Sequence, residues 1–267
     1  MGEDPPGDGT ADGSAIGLGA DIRACLFDLD GVLTKTAAVH SAAWKESFDE
    51  FLRRYDAHTG RKDQPFDENS DYENYVDGKT REDGVRGFLT ARGIELPEGA
   101  SDDPPDAETV YGVGAAKQRA FLALLDKHGP QVFDGSVAYV RAARAAGLKT
   151  AVVTSSANCA AILEAAGIAD LFDATVDGHD VAVQGLKGKP APDSYLAGAR
   201  AVGVEPAHAA VYEDALAGVE AGRAGRFGAV VGVDRIGGEH GGHLSAHGAT
   251  VVVTDLSELL AATGERG

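Results

Sequence analysis

The amino-acid sequence predicts an α/β protein, in which a doubly wound parallel sheet carries a small helical domain inserted after the first strand. Three observations predict this fold: short apolar, β-branched runs recur, helical patterns alternate with them, and the alternation is interrupted once. The central runs are apolar without alternation, which suits parallel strands that are covered on both faces. The runs lie at residues 22–27, 149–154, 173–176, 209–212, 228–233 and 249–253.

Helical patterns lie between the later strands, and several of them end in glycine. They span residues 136–147, 158–167, 192–203 and 215–225. Regular alternation of strands and helices is typical of a parallel sheet with helices on both faces.

The interruption lies between the first two strands, where more than 110 residues differ in character. We interpret them as three helices at roughly 38–55, 79–93 and 115–128, separated by polar stretches at 57–74 and 95–110. The first residues are rich in Gly, Asp and Pro, which is typical of disorder. The predicted parts are a disordered tail at 1–20, an α/β core at 21–34 and 131–267, and a helical cap domain at 35–130.

The composition is that of an acidic globular protein, with 267 residues and a net charge of −18. Such a protein repels nucleic acid and anionic lipid, so we expect neither as a partner. The N-terminus lacks the features of a signal peptide, and no apolar run approaches the ~20 residues of a transmembrane helix. Cys25 and Cys159 indicate neither a disulfide framework nor a zinc site. We expect a cytoplasmic monomer.

Pairs of acidic residues follow two of the predicted strands. Asp28 ends the first apolar run and Asp30 lies two residues on, while Glu213 and Asp214 end the fourth run. Parallel sheets bind ligands beyond the carboxyl ends of their strands, so these side chains should share one crevice. Carboxylates so close repel each other unless one is protonated or a cation lies between them. Taken singly, Asp30 also fits a polar turn and Asp214 a helix N-cap.

Hydroxyl groups and a lysine accompany these acids. Thr154, Ser155 and Ser156 follow the second strand, where they also fit the role of helix caps. Lys189 precedes a helix that starts with proline. Because all of them lie at a strand end or a helix start, we expect them around the same crevice.

The combination fits phosphoryl transfer. Hard oxygen ligands for Mg²⁺ are available from Asp28, Asp214 and Glu213. Thr154 can donate a hydrogen bond to a phosphoryl oxygen, and Lys189 can neutralise another. An aspartate carboxylate can attack phosphorus to form an aspartyl-phosphate. Asp30 would protonate the leaving oxygen and later deprotonate the incoming nucleophile.

In this order, these residues resemble the four motifs of the haloacid dehalogenase superfamily. The motifs are "FDLDGVLT", "VVTSS", Lys189 in "KGKPAPD" and "YEDALAG". The resemblance implies a Rossmann-like core and Mg²⁺-dependent phosphoryl transfer through Asp28. It implies that Asp30 is the general acid and base and gives its backbone carbonyl to the metal, alongside Glu213 and Asp214. The insert would be the family's small helical cap, which opens and closes over the substrate.

Within that superfamily the chain resembles the β-phosphoglucomutases, through "DLDGVLTKTAAVHSAAWK" and "YVDGKTREDGV". The residues expected at the substrate are Thr36, His40, Trp44, Arg81, Lys117, Ser155, Ser156 and Asn158. The resemblance implies that Arg81 grips the second phosphate and that Lys117 helps to orient the acid/base. It implies a small phosphorylated sugar as substrate, converted from β-D-glucose 1-phosphate to D-glucose 6-phosphate. Glucose 1,6-bisphosphate would be the intermediate and activator.

The sequence departs from the β-phosphoglucomutase pattern in three respects. Gly84 stands where that group has a serine that contacts the substrate, and the polar loops at 57–74 and 98–110 are longer. Thr154 replaces a serine, which keeps the hydroxyl group. The cap differences keep a second hypothesis open, a sugar-phosphate or small-metabolite phosphatase of the same fold.

Other classes of function fit less well. A dehalogenase needs no metal and would leave Asp30 and the Glu213–Asp214 pair without a role. A regulatory protein with a phospho-acceptor aspartate has no large cap insert, and an inert metabolite binder would not need a complete acid/base and metal set. Without the resemblance, Arg81 would fit a solvated helix face and His40 a surface histidine.

Overall fold

The computed structural model describes residues 11–264, and within them it contains one six-stranded parallel sheet. The strands are β1 Ala24–Phe27, β2 Lys149–Val153, β3 Ala174–Val176, β4 Ala209–Glu213, β5 Ala229–Val233 and β6 Val251–Val253. Their order across the sheet is β3-β2-β1-β4-β5-β6. The predicted α/β fold with a parallel sheet is confirmed, and each predicted run overlaps one of these strands.

Helices follow the strands in the alternation that the sequence predicts. The helices are α1 Ala37–Thr59, α2 Arg81–Ala91, α3 Val110–His128, α4 Asp134–Ala145, α5 Cys159–Ala165, α6 Gly178–Val183, α7 Asp193–Ala201, α8 Leu216–Ala224, α9 His240–His247 and α10 Ser257–Gly264. Among residues 11–264, none has the length and apolar character that crossing a membrane requires.

Strand β1 shows why the central runs are apolar throughout. Its four residues are all buried, with Cys25 and Phe27 in one apolar cluster and Ala24 and Leu26 in another. Successive side chains of a strand point to opposite faces of the sheet, so a strand covered on both faces must be apolar at every position. Complete burial of a side chain such as Phe27 or Leu26 contributes about 1.5–3 kcal/mol.

The chain reverses its direction of progress across the sheet at β1, which lies between β2 and β4. Such a switch point leaves a crevice at the carboxyl ends of the strands, where ligands bind. Asp28 follows β1, Thr154 follows β2, and Glu213 ends β4. The topology therefore brings these three side chains to one crevice.

Helices α1, α2 and α3 pack around an aromatic cluster that is separate from the two clusters of the sheet. Phe48 stacks on Trp44, Phe66 and Phe88, with ring centroids 4.9, 5.4 and 3.8 Å apart. Helix α3 begins earlier than predicted because the Thr109 hydroxyl accepts the Gly112 amide proton as its N-cap. The polar stretch 57–74 also contains the start of a π-helix, Tyr72–Val76, which the sequence did not predict.

The insert leaves and rejoins the core at neighbouring positions. Thr34 forms a β-bridge with Val132, and the Lys35 amide donates to the carbonyl of Gln131 at 2.7 Å. This pairing and the separate aromatic cluster support our division into a core and a cap at 35–130, which remains a proposal.

The predicted disordered tail at 1–20 requires a correction. Residues 1–10 lie outside the described residues, but Gly13–Ile16 form a 3₁₀ turn. Ile16 is buried, and its carbonyl accepts a hydrogen bond from the Tyr139 hydroxyl at 3.0 Å. The Gly- and Asp-rich composition indicated disorder, whereas the isolated apolar side chains of Ile16 and Leu18 pack onto the core.

Candidate active site

A cavity of about 340 Å³ lies between the carboxyl ends of the strands and the cap. This volume is at the lower end of the range for small-molecule sites. The predicted site residues that line it are Asp28, Asp30, His40, Trp44, Arg81, Lys117, Thr154, Ser155, Ser156, Asn158 and Asp214. The remaining three, Thr36, Lys189 and Glu213, lie behind this lining, where they bind its acidic side chains or each other.

Lys189 is buried between two carboxylates at the base of the cavity. Its Nζ donates to Asp28 Oδ1 at 2.6 Å and to Glu213 Oε1 at 2.5 Å. Burial lowers the pKa of Lys189, but the charges of Asp28 and Glu213 outweigh it and raise the pKa overall. Burial raises the pKa of Asp28, against the opposing charge of Lys189. Lys189 is therefore a permanent cation next to Asp28.

Glu213 is held by the protein on both oxygens. Oε1 accepts hydrogen bonds from Lys189 and from the Tyr195 hydroxyl at 2.9 Å, and Oε2 accepts the Ala215 amide proton at 3.1 Å. These bonds fix the position of Glu213 and, through Lys189, that of Asp28.

Three carboxylates in the cavity form a group that fits a metal ion. One oxygen each from Asp28, Glu213 and Asp214 lies within 4.8 Å of the others. Burial, followed by the charges of Asp77 and Glu213, raises the pKa of Asp214, so the cluster is short of positive charge. Hard oxygen donors of this kind suit Mg²⁺. Gly31 has φ 89°, and a Cβ there would lie 1.7 Å from Asp214 Oδ2, so this approach requires glycine.

The side chain of Asp30 lies in the same cavity but outside this three-carboxylate group. It accepts a short hydrogen bond from the Thr36 hydroxyl, and His40 Nε2 lies 3.3 Å from its Oδ1. The Thr154 hydroxyl lies 3.5 Å from Oδ2. Burial raises the pKa of Asp30, but His40, Thr36 and Lys117 outweigh it and lower the pKa to about 2. In this arrangement Asp30 is a carboxylate, the form that accepts a proton.

His40 connects Asp30 to the cap helix α3. Its Nδ1 lies 2.6 Å from Lys117 Nζ, and its ring packs on Phe121 at 4.1 Å. Burial and the charge of Lys117 lower the pKa of His40. Burial lowers the pKa of Lys117 to about 7, although the charge of Asp30 opposes this. Lys117 Nζ also lies 5.0 Å from the centroid of the Trp44 ring, a cation–π contact.

A second group of predicted residues meets where the cap touches the loop after β2. Asn158 and Gln118 exchange two amide hydrogen bonds, at 2.7 and 3.2 Å. Arg81 Nη1 lies 3.4 Å from Gln118 Oε1, and its Nε donates to Glu82 at 2.9 Å. Ser156 belongs to the same loop, and its Oγ accepts a hydrogen bond from the backbone N–H of Asn158 at 3.3 Å.

Several lining residues were not predicted from the sequence. They are Tyr72, Val76, Asp77, Gly78, Lys79, Thr80, Glu82, Ser101, Tyr111, Gln118, Ala157, Gly178, His179, Ala182 and Ala215. Tyr72 and Ser101 come from the polar stretches at 57–74 and 95–110, so both stretches contribute to the cavity wall. Asp77 lies in "YVDGKTREDGV", four residues before Arg81, and this spacing was the one available signal. Burial and the charge of Glu213 raise the pKa of Asp77 to about 7.

Gly84 is buried in the packing between α2 and α1 and is not among the residues that line the cavity. A Cβ at this position would lie 3.2 Å from atoms of both Trp44 and Val76. The glycine therefore reflects close packing in the cap, next to two residues that line the cavity, and the link between Gly84 and sugar contact stays a prediction.

The chain is similar in sequence to known proteins. The sequence model of the haloacid dehalogenase-like hydrolase family matches residues 22–226. A β-phosphoglucomutase from Mycobacterium tuberculosis is 54% identical over 246 residues, covering 92% of this chain and 94% of that protein. One from Bacillus subtilis is 32% identical over 213 residues, covering 79% and 84%.

A solved structure adds evidence on the fold alone. The crystal structure of β-phosphoglucomutase from Clostridium difficile has a TM-score of 0.69 at 23% identity, covering 92% of this chain and 96% of that one. The family match, the identity to curated relatives and this shared architecture agree with one another. The chain therefore belongs to the haloacid dehalogenase-like hydrolase family and is a β-phosphoglucomutase-like enzyme within it.

Proposed function

We propose that the protein is a β-phosphoglucomutase, which converts β-D-glucose 1-phosphate to D-glucose 6-phosphate through glucose 1,6-bisphosphate. One observation carries this proposal. Lys189 fixes Asp28 beside the carboxylates of Glu213 and Asp214, which could bind a metal ion. Asp30, which contacts Thr36 and His40, lines the same cavity, and the cap contributes two cationic side chains to its wall. The identity of 54% to a curated β-phosphoglucomutase supports the same reaction.

The chemistry divides into two phosphoryl transfers. The first starts from the enzyme with phosphorylated Asp28, and Asp30 takes the proton from the 6-hydroxyl of glucose 1-phosphate. The oxygen of that hydroxyl attacks the phosphorus of the aspartyl-phosphate and releases Asp28. In the second, Asp28 attacks the phosphorus of the 1-phosphate, and Asp30 returns the proton to the departing C1 oxygen. The low pKa of Asp30 suits the first step, which needs a carboxylate.

Charge stabilisation comes from groups that are already in place. Lys189 neutralises charge on the transferring phosphoryl group, and Thr154 can donate a hydrogen bond to one of its oxygens. Asp28, Asp214 and Glu213 would hold Mg²⁺, with the backbone carbonyl of Asp30 as a further proposed ligand. When bound, Mg²⁺ supplies positive charge to the phosphoryl oxygens.

The phosphate that is not reacting needs its own site, because the bisphosphate must bind in two orientations. Arg81 and Lys117 supply positive charge for it, and Ser156 and Asn158 supply hydrogen bonds. Ser155 also lines the cavity, and its hydroxyl donates to the carbonyl of Gly78 at 2.7 Å, which joins the core to the cap.

We further propose that the enzyme works as a monomer in the cytoplasm on small phosphorylated sugars. The net charge of −18 disfavours binding to nucleic acid or anionic lipid. Cys25 and Cys159 are free and buried, as expected in a reducing compartment.

The test supplies the enzyme with Mg²⁺, β-glucose 1-phosphate and a trace of glucose 1,6-bisphosphate, and measures glucose 6-phosphate and free phosphate in one tube. We expect glucose 6-phosphate with little free phosphate, and neither product with Asp28→Asn. Phosphate release from several sugar phosphates, without any isomerised product, would instead identify a phosphatase.

A further inference from the structure

Arg235 is the second residue after β5, and only 15% of its side chain is exposed. The loop that carries it is fixed, because Asp234 Oδ1 accepts hydrogen bonds from the backbone N–H groups of Ile236 and Gly237, at 3.1 and 2.7 Å. Arg235 is not among the residues that line the cavity. A cation so far out of water needs many partners, and these partners indicate what it does.

On one side, the guanidinium group of Arg235 holds the loop that follows β1, residues 28–34, which we call the catalytic loop. Its Nε donates to the carbonyl of Gly31 at 3.0 Å, and its Nη2 donates to the carbonyl of Val32 at 3.3 Å. The same Nη2 donates at 3.1 Å to the hydroxyl of Ser136, which itself donates to the Val32 carbonyl at 2.7 Å. Two successive carbonyls of the catalytic loop are thus held from outside the cavity.

On its other side, the guanidinium group is anchored to the rest of the core. Nη1 donates to the carbonyl of Thr254 at 2.7 Å and to Asp255 Oδ2 at 3.2 Å, both in the loop after β6. Cζ lies 3.7 Å from the centroid of the Phe133 ring, a cation–π contact. All five N–H groups of Arg235 therefore have an acceptor, and the planar group fixes these acceptors relative to one another.

Gly31 is the residue of the catalytic loop at which this hold matters most. Its φ of 89° is a conformation that glycine adopts freely, so its own backbone does little to fix its neighbours. Its N–H donates to the carbonyl of Thr34 at 2.8 Å, and Arg235 holds its carbonyl. Gly31 also packs against Asp214, where a Cβ would lie 1.7 Å from a carboxylate oxygen. The hydrogen bonds on both sides of Gly31 therefore decide where the preceding residue, Asp30, lies.

We propose that Arg235 is a positioning residue for phosphoryl transfer, which acts through the backbone of Gly31. Its hydrogen bonds keep the acid/base Asp30 aligned with Asp28 and keep Gly31 against Asp214. Without the guanidinium group, Gly31 can rotate, and the displaced Asp30 transfers its proton more slowly although every group that touches the substrate is still present. The proposal rests on the proposed function, since it adds a residue to the machinery of the same site.

The experiment compares the unmodified enzyme with Arg235→Met, Arg235→Lys and Ser136→Ala. Methionine keeps an apolar stem against Phe133 but has no donor, whereas lysine keeps the buried charge without the planar fork. Ser136→Ala removes one donor to the Val32 carbonyl and leaves Arg235 in place. Arg141→Met is the matched control, because Arg141 is an exposed arginine on α4.

The measurement isolates one chemical step, the transfer of a phosphoryl group to Asp28, in single turnovers with enzyme in excess. One donor is glucose 1,6-bisphosphate, whose departing sugar oxygen needs a proton from Asp30. The other is p-nitrophenyl phosphate, whose p-nitrophenolate departs without a proton. Rapid quench measures the glucose phosphate formed, absorbance measures p-nitrophenolate, and thermal unfolding measures the stability of each variant.

We expect Arg235→Met to slow transfer from glucose 1,6-bisphosphate by about 10²-fold, the scale of a misplacement of roughly 1 Å. Transfer from p-nitrophenyl phosphate should slow by less than about tenfold, because it does not depend on the proton of Asp30. Arg235→Lys should lose less than Arg235→Met, Ser136→Ala less again, and Arg141→Met should match the unmodified enzyme. The difference between the two donors is a readout that a loss of stability alone would not produce.

Two results would overturn the proposal. One is that Arg235→Met and Arg235→Lys transfer from both donors as fast as Arg141→Met does. The other is equal slowing with both donors in parallel with a lower melting temperature, which would make Arg235 a structural residue only. Arg235→Lys gives the same comparison if Arg235→Met does not fold. Failure of the proposed function would appear separately, as a lack of glucose 6-phosphate from the unmodified enzyme in multiple turnovers.

Discussion

The two buried lysines of the active site respond to burial in opposite ways. Lys189 is 3% exposed and Lys117 is 4% exposed. The pKa of Lys189 is raised, because Asp28 and Glu213 both bind its ammonium group directly. The pKa of Lys117 is lowered to about 7, because burial acts on a group whose nearest polar partner is the imidazole of His40.

The difference separates the tasks of the core and the cap. The core holds a fully paired cation, which keeps the phosphoryl end of the cavity in one arrangement. Among residues 11–264, no carboxylate binds the cap cation Lys117 directly, and a substrate phosphate would supply that anion. Core variants should therefore abolish all phosphoryl transfer, whereas cap variants should change which substrate or acceptor is used.

Asp28→Asn should have the largest effect. The amide cannot form the aspartyl-phosphate, so we expect losses of about 10⁴-fold or more in both mutase and phosphatase turnover. The measurement is kcat for glucose 6-phosphate formation and for p-nitrophenyl phosphate hydrolysis. Appreciable turnover of either kind would contradict the role of Asp28.

Lys189→Met should destabilise the protein by about 3–5 kcal/mol, because it leaves Asp28 and Glu213 buried without a cation. Urea unfolding without divalent metal measures this difference. Lys187→Met, two residues earlier and exposed, is the control and should change the free energy of unfolding by less than about 0.5 kcal/mol. A stability equal to that of the control would show that the carboxylates do not need Lys189.

Arg81→Ala should lower mutase turnover by about 10²-fold and hydrolysis of p-nitrophenyl phosphate much less, because Arg81 serves the phosphate that is not reacting. Both rates are measured on the same preparation. Equal losses in the two reactions would remove the distinction between the core and the cap at this residue.

Lys117→Met should raise stability, and more at pH 6 than at pH 9. The folded protein holds Lys117 with a pKa of about 7 against 10.5 for the free side chain, so the unfolded chain binds more protons between these values. The cost of Lys117 is thus complete below pH 7 and falls as the pH rises towards 10.5. We expect the increase in the free energy of unfolding caused by Lys117→Met to be larger at pH 6 than at pH 9 by about 2 kcal/mol. Lys127→Met, exposed on the same helix, is the control.

The strands and the core site could be predicted from the sequence because their signals are local. A strand covered on both faces is apolar throughout, and the residue after its end faces the crevice, as Asp28, Thr154 and Asp214 do. The order of these segments along the chain then indicated the family.

The cap wall could not be predicted in the same way, because its burial depends on docking. Tyr72 and Asp77 belong to a polar sequence, and they line the cavity only because Glu73 and Gly78 contact distant core residues. The ordered part of the predicted tail was missed for a related reason, since Ile16 finds its partner more than 100 residues away, at Tyr139.

The most direct test of the account is to find where the phosphoryl group is carried. The enzyme is mixed with Mg²⁺ and ³²P-labelled glucose 1,6-bisphosphate, quenched in acid within milliseconds, and digested for peptide mapping by mass spectrometry. We predict label on Asp28 in the unmodified enzyme, much slower labelling in Asp30→Asn, which cannot protonate the departing sugar oxygen, and no label in Asp28→Asn. Label on another residue, or turnover to glucose 6-phosphate in Asp28→Asn, would contradict phosphoryl transfer through Asp28.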